Sequence, residues 1–330
     1  MCERPRAQLN TSAAGMLYSG MARVLHQLNA EALAPLAAEF PSVEFVAIPR
    51  EGALDAGVTG DVLLTSPVST PILPEALSRG VRWVHLIGTG VDRFPLELIA
   101  PDVILSCSRG ASAIAIAEWS ITMMLAFEKH LPDPWLSEPP PRWFFSDLGT
   151  LYGKTLAIVG LGGIGERAAA LARPFDMRIK ALRRSLRPAN TDGVRVVATL
   201  REVLDDADHV LIAAPLTSET RHLINAESIA WMKPGVHLVN IARGGLIDHD
   251  ALRSALDSGQ VARASLDTVD PEPLPDGHWL YSHPGVRLSA HISWSIPEAQ
   301  GLLHDTFREN LRRYLDGVAL VNVVNVQLGY

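Results

Sequence analysis

The run Val159-Gly160-Leu161-Gly162-Gly163-Ile164-Gly165 constrains the fold more than any other part of the chain. An apolar stretch, Lys154-Thr-Leu-Ala-Ile-Val159, leads into three glycines spaced G-x-G-x-x-G, and helix-forming residues follow to Arg173. Each glycine answers a different need. Gly160 makes the tight turn out of the strand, Gly162 lets a pyrophosphate approach the backbone, and Gly165 lets helix and strand pack closely. The helix start then offers N–H groups and a partial positive charge to the phosphates. Glycines gather in ordinary turns too; the strand–turn–helix order is what points to a dinucleotide. Gly160, Gly162, Gly163, Ile164 and Gly165 are therefore the candidate phosphate cradle.

In front of that turn, apolar runs at 43–48, 61–65, 81–87 and 103–106 read as strands, with helical character at 31–40 and 72–79 between them. A long helix is expected at 112–130. Behind the turn, strands are expected at 154–159, 177–182, 209–213, 236–241, 262–266 and 286–289, with helices at 165–173 and 297–315. Strands alternating with helices imply parallel sheets covered on both faces. Two such series in 330 residues imply an α/β protein of two doubly wound domains.

Bulk properties narrow the function. A hydrophobic content of 48% with 20% charge is that of a globular chain. The net charge of −7 argues against nucleic acid, which needs concentrated Lys and Arg. Two cysteines, Cys2 and Cys107, make no disulfide framework and suit a reducing compartment. Residues 1–20 lack the apolar block of a secretion signal and read as a short leader. The longest apolar stretch, 111–127, is interrupted by Glu118 and falls short of a membrane span. A cytoplasmic protein is expected. Five prolines in the fourteen residues 130–143 forbid a helix there and favour an extended connector. Trp135 and Trp143 in it are expected to dock on another surface, a partner subunit being one choice.

Cofactor selection is read from the strand after the fingerprint. Dinucleotide sites for NAD place an acid about twenty residues on, to hold the ribose 2′-hydroxyl. Here the strand ends Lys180-Ala-Leu-Arg183-Arg184-Ser185. A carboxylate would repel a 2′-phosphate, whereas arginine meets it with a charge-assisted, bidentate contact. NADP is therefore expected to be preferred, with NAD possible, through Arg183, Arg184 and Ser185; no metal is expected.

Three segments follow the later strands: Asn240-Ile-Ala-Arg243-Gly-Gly-Leu-Ile-Asp248, Leu266-Asp267-Thr-Val-Asp-Pro-Glu272-Pro-Leu-Pro275 and Leu288-Ser-Ala-His291-Ile-Ser-Trp294. Ligands of open α/β sheets bind beyond the carboxyl ends of the strands. Arg243 offers a planar fork for a carboxylate or carbonyl. His291 offers a proton near neutral pH. Glu272, on meeting His291, would favour the imidazolium and raise its pKa by charge pairing. Taken singly, each of these residue types is common on surfaces.

Together these segments resemble the D-isomer-specific 2-hydroxyacid dehydrogenases, in the glyoxylate/hydroxypyruvate reductase-like branch. Ile87-Gly-Thr-Gly-Val-Asp92, Ala117-Glu118, Leu151-Tyr-Gly-Lys-Thr155 and Ala214-Pro-Leu-Thr217 extend the match from about Asp61 to His304. The resemblance implies a catalytic triad Arg243, Glu272 and His291. It implies that Ala214, Pro215, Ala242 and Asp267 line the cofactor, with Pro215 toward the adenosine and Asp267 toward the nicotinamide. The backbone of Gly88, Thr89 and Gly90 would hold the substrate carboxylate. It also implies a Rossmann cofactor domain, 117–293, inserted in a discontinuous flavodoxin-like substrate domain, 1–116 and 294–330, and a homodimer formed through the cofactor domain. Ser112 stands where the formate-oxidising branch has an essential asparagine, which argues against formate. Trp294 is bulkier than the small residue common at its place and enters the candidate substrate pocket. The readings left open are an NADP-dependent reductase of glyoxylate, hydroxypyruvate or a similar acid, an NAD-dependent dehydrogenase of a larger 2-hydroxy acid, and a dinucleotide-sensing, corepressor-like binding protein.

Overall fold

A computed structural model describes residues 21–330. The leader expected at 1–20, with Cys2, lies outside the described residues. The chain divides into two compact units, one from the residues up to Ala111 with Glu298–Tyr330, the other from Ser112–Pro297.

The first unit begins with β1 (Ala22–His26), α1 (Ala30–Glu39), β2 (Val43–Ala47) and β3 (Val62–Thr65). It continues with α2 (Leu73–Leu77), β4 (Trp83–Leu86) and β5 (Ile104–Cys107). The five strands form one parallel sheet in the order β2-β1-β3-β4-β5. That is the flavodoxin-like order. β1 was not expected from the sequence, yet it lies inside the sheet with Val24 and Leu25 fully buried. Its Arg23 and His26 hide the pattern. Arg23 is tolerated because it faces Glu44 directly across the β1–β2 pair, with Nε donating to the carboxylate at 2.6 Å.

The second unit holds α3 (Ala113–Glu128), β6 (Thr155–Val159), α4 (Gly163–Ala172), β7 (Arg178–Leu182), β8 (Val194–Val197), α5 (Leu200–Leu204) and β9 (His209–Ile212). After them come α6 (Ala226–Ala230), β10 (Val236–Asn240), α7 (His249–Ser258), β11 (Val261–Leu266) and β12 (Val286–Leu288). Its seven parallel strands run β12-β11-β10-β9-β6-β7-β8. This is the dinucleotide-binding order with one added edge strand, and the order reverses beside β6. β8 and α5–α7 were not expected. α5 is set by a capping box, Thr199 with Glu202, and α6 by Asn225 with Ser228. α4 starts two residues before the expected helix, because Gly162 already serves as its N-cap. The connector 131–148 has no regular helix or strand and leaves Trp135, Trp143, Phe144 and Phe145 exposed.

The returning helix α8 (Ala299–Leu315) belongs to the first unit, where Phe307 stacks on Trp83 at 5.4 Å between centroids. Fully buried His85 sits beside them. Trp83 Nε1 donates to Ser106 Oγ (2.8 Å), and Ser108 Oγ donates to the Leu303 carbonyl (2.6 Å). Since the Ser108 proton goes to Leu303, His85 Nε2 donates to Ser108 (3.2 Å) and Nδ1 accepts from Ser106 (2.8 Å). Burial, with His304 beside it, pushes the His85 pKa down to about 3, so this chain of bonds holds a neutral ring. Among the described residues, no helix is long and apolar enough to cross a membrane.

Candidate active site

The site in the second unit is built on the carboxyl ends of β6, β7, β9, β10 and β11 and the loop after β12. At the end of β6 the three glycines differ as their spacing demands. Gly160 has φ +107°, and a Cβ there would lie 2.4 Å from the Ala214 nitrogen, so the turn is pressed onto the backbone after β9. Gly165 is just as tight, its would-be Cβ 2.5 Å from the Gly160 carbonyl oxygen. Gly162 is the reverse: it is exposed and nothing lies within 4 Å of a Cβ built on it. Open space at the N-cap of α4, where the first N–H groups have no intrahelical acceptor, fits a pyrophosphate.

Beyond β7 the half-buried Arg183 has its guanidinium 3.8 Å from the Glu166 carboxylate. Glu166 also accepts from the backbone nitrogens of Asn190 and Thr191, each at 3.0 Å. Arg184 donates to Glu219 at 2.8 Å, reaching from the loop after β7 to the loop after β9. Ser185 and Pro215 are exposed; Ala214 is buried. No carboxylate terminates β7, in keeping with the residues read there.

At the end of β10, fully buried Asn240 shapes the turn that carries Arg243. Its Nδ2 donates to the Arg243 carbonyl (2.9 Å) and its Oδ1 accepts from the Ala242 nitrogen (3.1 Å). Gly244 then presses against the next loop, for a Cβ on it would lie 1.9 Å from the Val269 carbonyl carbon and 2.3 Å from the Asp270 nitrogen. Three residues beyond that contact stands Glu272. Its carboxylate accepts from His291 Nδ1, with distances of 3.1 and 3.0 Å to the two oxygens. Nε2 is thereby left as the nitrogen available to a reacting group. His291 itself has φ +55°, a left-handed backbone uncommon outside glycine. Trp294 Nε1 donates to the His291 carbonyl (2.9 Å), so its large ring is tied to the histidine loop.

Asp267, at the end of β11, has a fully buried carboxylate that accepts from Ser289 Oγ (2.6 Å), Ile292 N (2.9 Å) and Ser293 N (3.0 Å). Asn240 and Ser289 were quoted within the sequence motifs but given no role. Gly88, Thr89 and Gly90 follow β4 in the first unit and are half-buried, with Pro67 Cγ 2.8 Å from where a Gly88 Cβ would be. All these groups except Gly88–Gly90 lie in the second unit.

A seven-stranded dinucleotide-binding sheet carrying arginine, glutamate and histidine beyond its strand ends is the frame of a nicotinamide-dependent dehydrogenase. Residues 121–293 match the family described as D-isomer specific 2-hydroxyacid dehydrogenase, NAD binding domain, and the chain belongs to that family. D-3-phosphoglycerate dehydrogenase of Bacillus subtilis is 33% identical over 292 residues, 86% of this chain and 55% of that protein. Hydroxypyruvate reductase of Thermotoga maritima is 40% identical over 197 residues, 58% of this chain and 63% of that one. The chain spans about half the length of the D-3-phosphoglycerate dehydrogenases it matches. Among solved structures, a D-isomer specific 2-hydroxyacid dehydrogenase of Xanthobacter autotrophicus Py2, in complex with NADPH and MES, superposes with a TM-score of 0.78. It is 27% identical, over 94% of this chain and all of that one.

Proposed function

We propose that the protein transfers a hydride between NADP(H) and a small 2-hydroxy/2-oxo acid such as glyoxylate or hydroxypyruvate. The observation that carries this reading is the Glu272–His291 contact of 3.0 Å on a loop adjoining the Gly244–Val269 packing that fixes Arg243. A bound nicotinamide supplies or accepts the hydride. In reduction, Arg243 pairs with the substrate carboxylate and polarises the 2-oxo group through its planar fork. Glu272 orients the His291 ring through Nδ1, and Nε2 delivers the proton to the forming alkoxide. The phosphates rest on Gly160, Gly162, Gly163, Ile164 and Gly165, and Arg183, Arg184 and Ser185 receive the 2′-phosphate.

Purified protein mixed with NADPH or NADH and a panel of 2-oxo acids tests the reading. Glyoxylate or hydroxypyruvate should deplete NADPH faster than NADH, and His291→Ala should cost about 10²- to 10⁴-fold in rate while NADPH still binds. No turnover with any acid would defeat the enzyme reading and leave the dinucleotide-sensing one. The Bacillus relative favours a second substrate, D-3-phosphoglycerate. A panel including its 2-oxo counterpart separates the two. Trp135, Trp143 and Phe144, exposed at 73%, 60% and 97%, are assigned to cover by a second copy of the chain in the cytoplasm. Sedimentation of the native protein and of a Trp143→Ser/Phe144→Ser variant checks it.

A further inference from the structure

A buried cluster at the amino ends of β9 and β10, away from the candidate site, takes no part in hydride transfer. His209 opens β9, His237 lies beside it in β10, and both side chains are fully buried. Their Nδ1 atoms face each other at 3.2 Å. One proton must lie between them, since two lone pairs would repel and two N–H groups would collide. Contacts continue on both sides. His237 Nε2 meets Ser265 Oγ at 2.9 Å, and His209 Nε2 lies 3.0 Å from the buried Glu128 carboxylate. Lys154 Nζ stands 3.3 Å from the same carboxylate. Burial works against the charge on Glu128, but His209 and Lys154 outweigh it and hold the carboxyl below the usual carboxylate range. Burial also pushes His237 well below the usual histidine range, with His209 and Arg263 adding to the effect.

The cover over these rings is the last turn of α3. Phe127 stacks on His237 at 4.6 Å between centroids, and Glu128 follows it as the last residue of the helix. The same turn holds both ends of the connector. Gly149 N donates to the Glu128 carbonyl (2.8 Å), Lys129 Nζ to the Gly149 carbonyl (2.7 Å) and Leu131 N to the Ala126 carbonyl (2.9 Å). Gly149 is pressed so close that a Cβ on it would lie 1.9 Å from Glu128 Oε2. The connector that displays Trp135, Trp143, Phe144 and Phe145 is therefore tied shut at a root whose floor is the histidine pair.

We propose that Glu128, His209 and His237 form a proton-operated latch, closed at neutral pH and opened by acid, at the root of the connector. It goes beyond the hydride-transfer reading and does not depend on it. The charged groups around the pair set the direction. Glu128 comes from α3, Lys154 precedes β6, and Arg263 of β11 bears on His237. Arg287 of β12 and Asp133 of the connector bear on Arg263, while Asp208 beside His209 is paired with Lys233. Lys154 already balances Glu128, so a further proton on the rings would add an uncompensated positive charge near Arg263. The rings can take it up only by reaching solvent, which requires the last turn of α3 to lift. That turn is also the root, so protonation and opening are one event. His237 titrates near about 6.5 in the open form and well below it in the closed one. Closure is therefore fully favoured above about pH 6.5 and weakens as the pH falls.

Amide exchange in the full chain, corrected for the intrinsic effect of pH, tests the latch. Every protein compared carries His85→Gln, so that the acid sensitivity of that buried ring does not add to the result. Between about pH 7.5 and 5.5 the Gly149 amide should lose about tenfold of its protection, the ratio for one group titrating near 6.5 only in the open form. Val210 and Leu238, inside β9 and β10, should keep theirs to within about twofold. His209→Gln/His237→Gln puts amides that bind no proton in place of the rings, and should flatten the Gly149 step to below about twofold. Gly149→Ala drives a methyl group against the Glu128 carboxylate without touching the rings. Its amide at 149 should exchange at about pH 7.5 as fast as the glycine one does at about pH 5.5. The latch is overturned if the strand amides lose protection by the same factor as Gly149, which would make the opening global. It is overturned as well if the step survives in the double glutamine variant, or if Gly149→Ala leaves exchange unchanged at both pH values.

Discussion

Gly244 is the position where the smallest possible change should do the most harm. Alanine there places a Cβ 1.9 Å from the Val269 carbonyl carbon, against about 3.4 Å for ordinary contact. The shortfall is about 1.5 Å. Both colliding groups are backbone, so no rotamer change relieves it, and the turn carrying Arg243 must part from the loop carrying Glu272. Overpacking of this sort costs about 1–3 kcal/mol of stability. The kinetic cost should be larger in proportion, since a displacement of about 1 Å at a reacting group takes away on the order of 10²-fold in rate. That is about 2.7 kcal/mol of transition-state stabilisation.

The assay is kcat/KM for the best 2-oxo acid at saturating NADPH, together with calorimetry of NADPH binding and a denaturant melt. Gly259→Ala is the matched control. Gly259 caps α7 in the left-handed region (φ +76°) with nothing within 4 Å of its Cβ position. It should lose about 1 kcal/mol of stability and keep its kinetics. Gly244→Ala with kcat/KM within about twofold of native would refute the argument that these two loops are locked face to face.

Two further outcomes follow from single residues. Gly162→Val should leave the melt nearly unchanged, because the space around it is open, and should abolish measurable NADPH binding; normal binding would make the turn merely structural. His85 should make the protein acid-sensitive. Burial holds its folded pKa at about 3, below the unfolded value near 6.5, so between these limits the unfolded chain takes up a proton that the folded one refuses. Its contribution is intact above about pH 6.5 and lost as the pH falls, at about 1.4 kcal/mol per unit. From pH 7 to 5 that amounts to about 2 kcal/mol, and His85→Gln should flatten urea-derived stability by that much. An unchanged slope would show that His85 is not held neutral.

Much of the frame was legible because its causes are local. The glycine turn was legible from its spacing between an apolar run and a helix-forming run, and in the structure Gly160 and Gly165 are tightly packed while the space about Gly162 is open. Six of the seven strands of the second unit were readable as apolar runs, whereas the edge strand β8 was not, since only Val197 in it is buried. β1 was not, since Arg23 and His26 look foreign to a buried strand until Glu44 is seen opposite Arg23. The support behind the site was illegible for a related reason. That Asn240 meets Asp267 depends on β10 lying beside β11, and that Ser289 reaches Asp267 depends on β12 lying beyond it. Strand order is a long-range property that no short window of sequence carries. Capped short helices such as α6 failed similarly, their five residues being too few for a periodic signal.

The size of the proposed cofactor preference depends on what stands beside the two arginines. Two arginines after β7 suggest a strongly cationic cradle, but each has an acid beside it, Glu166 at 3.8 Å from Arg183 and Glu219 at 2.8 Å from Arg184. A 2′-phosphate must draw the guanidinium groups away from carboxylates. A charge-assisted hydrogen bond is worth about 1.5–3 kcal/mol, and an exposed ion pair such as Arg184–Glu219 about 0.2–1 kcal/mol, so the difference leaves roughly 1–2 kcal/mol. NADP(H) should therefore be favoured over NAD(H) by about tenfold in kcat/KM, not by thousands. Glu219→Gln removes the competing charge from the loop after β9 and touches nothing else in the groove among the contacts described. It should raise the NADP(H) to NAD(H) ratio by about 1.5- to 5-fold through a lower KM for NADPH, with kcat unchanged. If the ratio stays put, Arg184 is not the residue that meets the phosphate, and the preference rests on Arg183 alone.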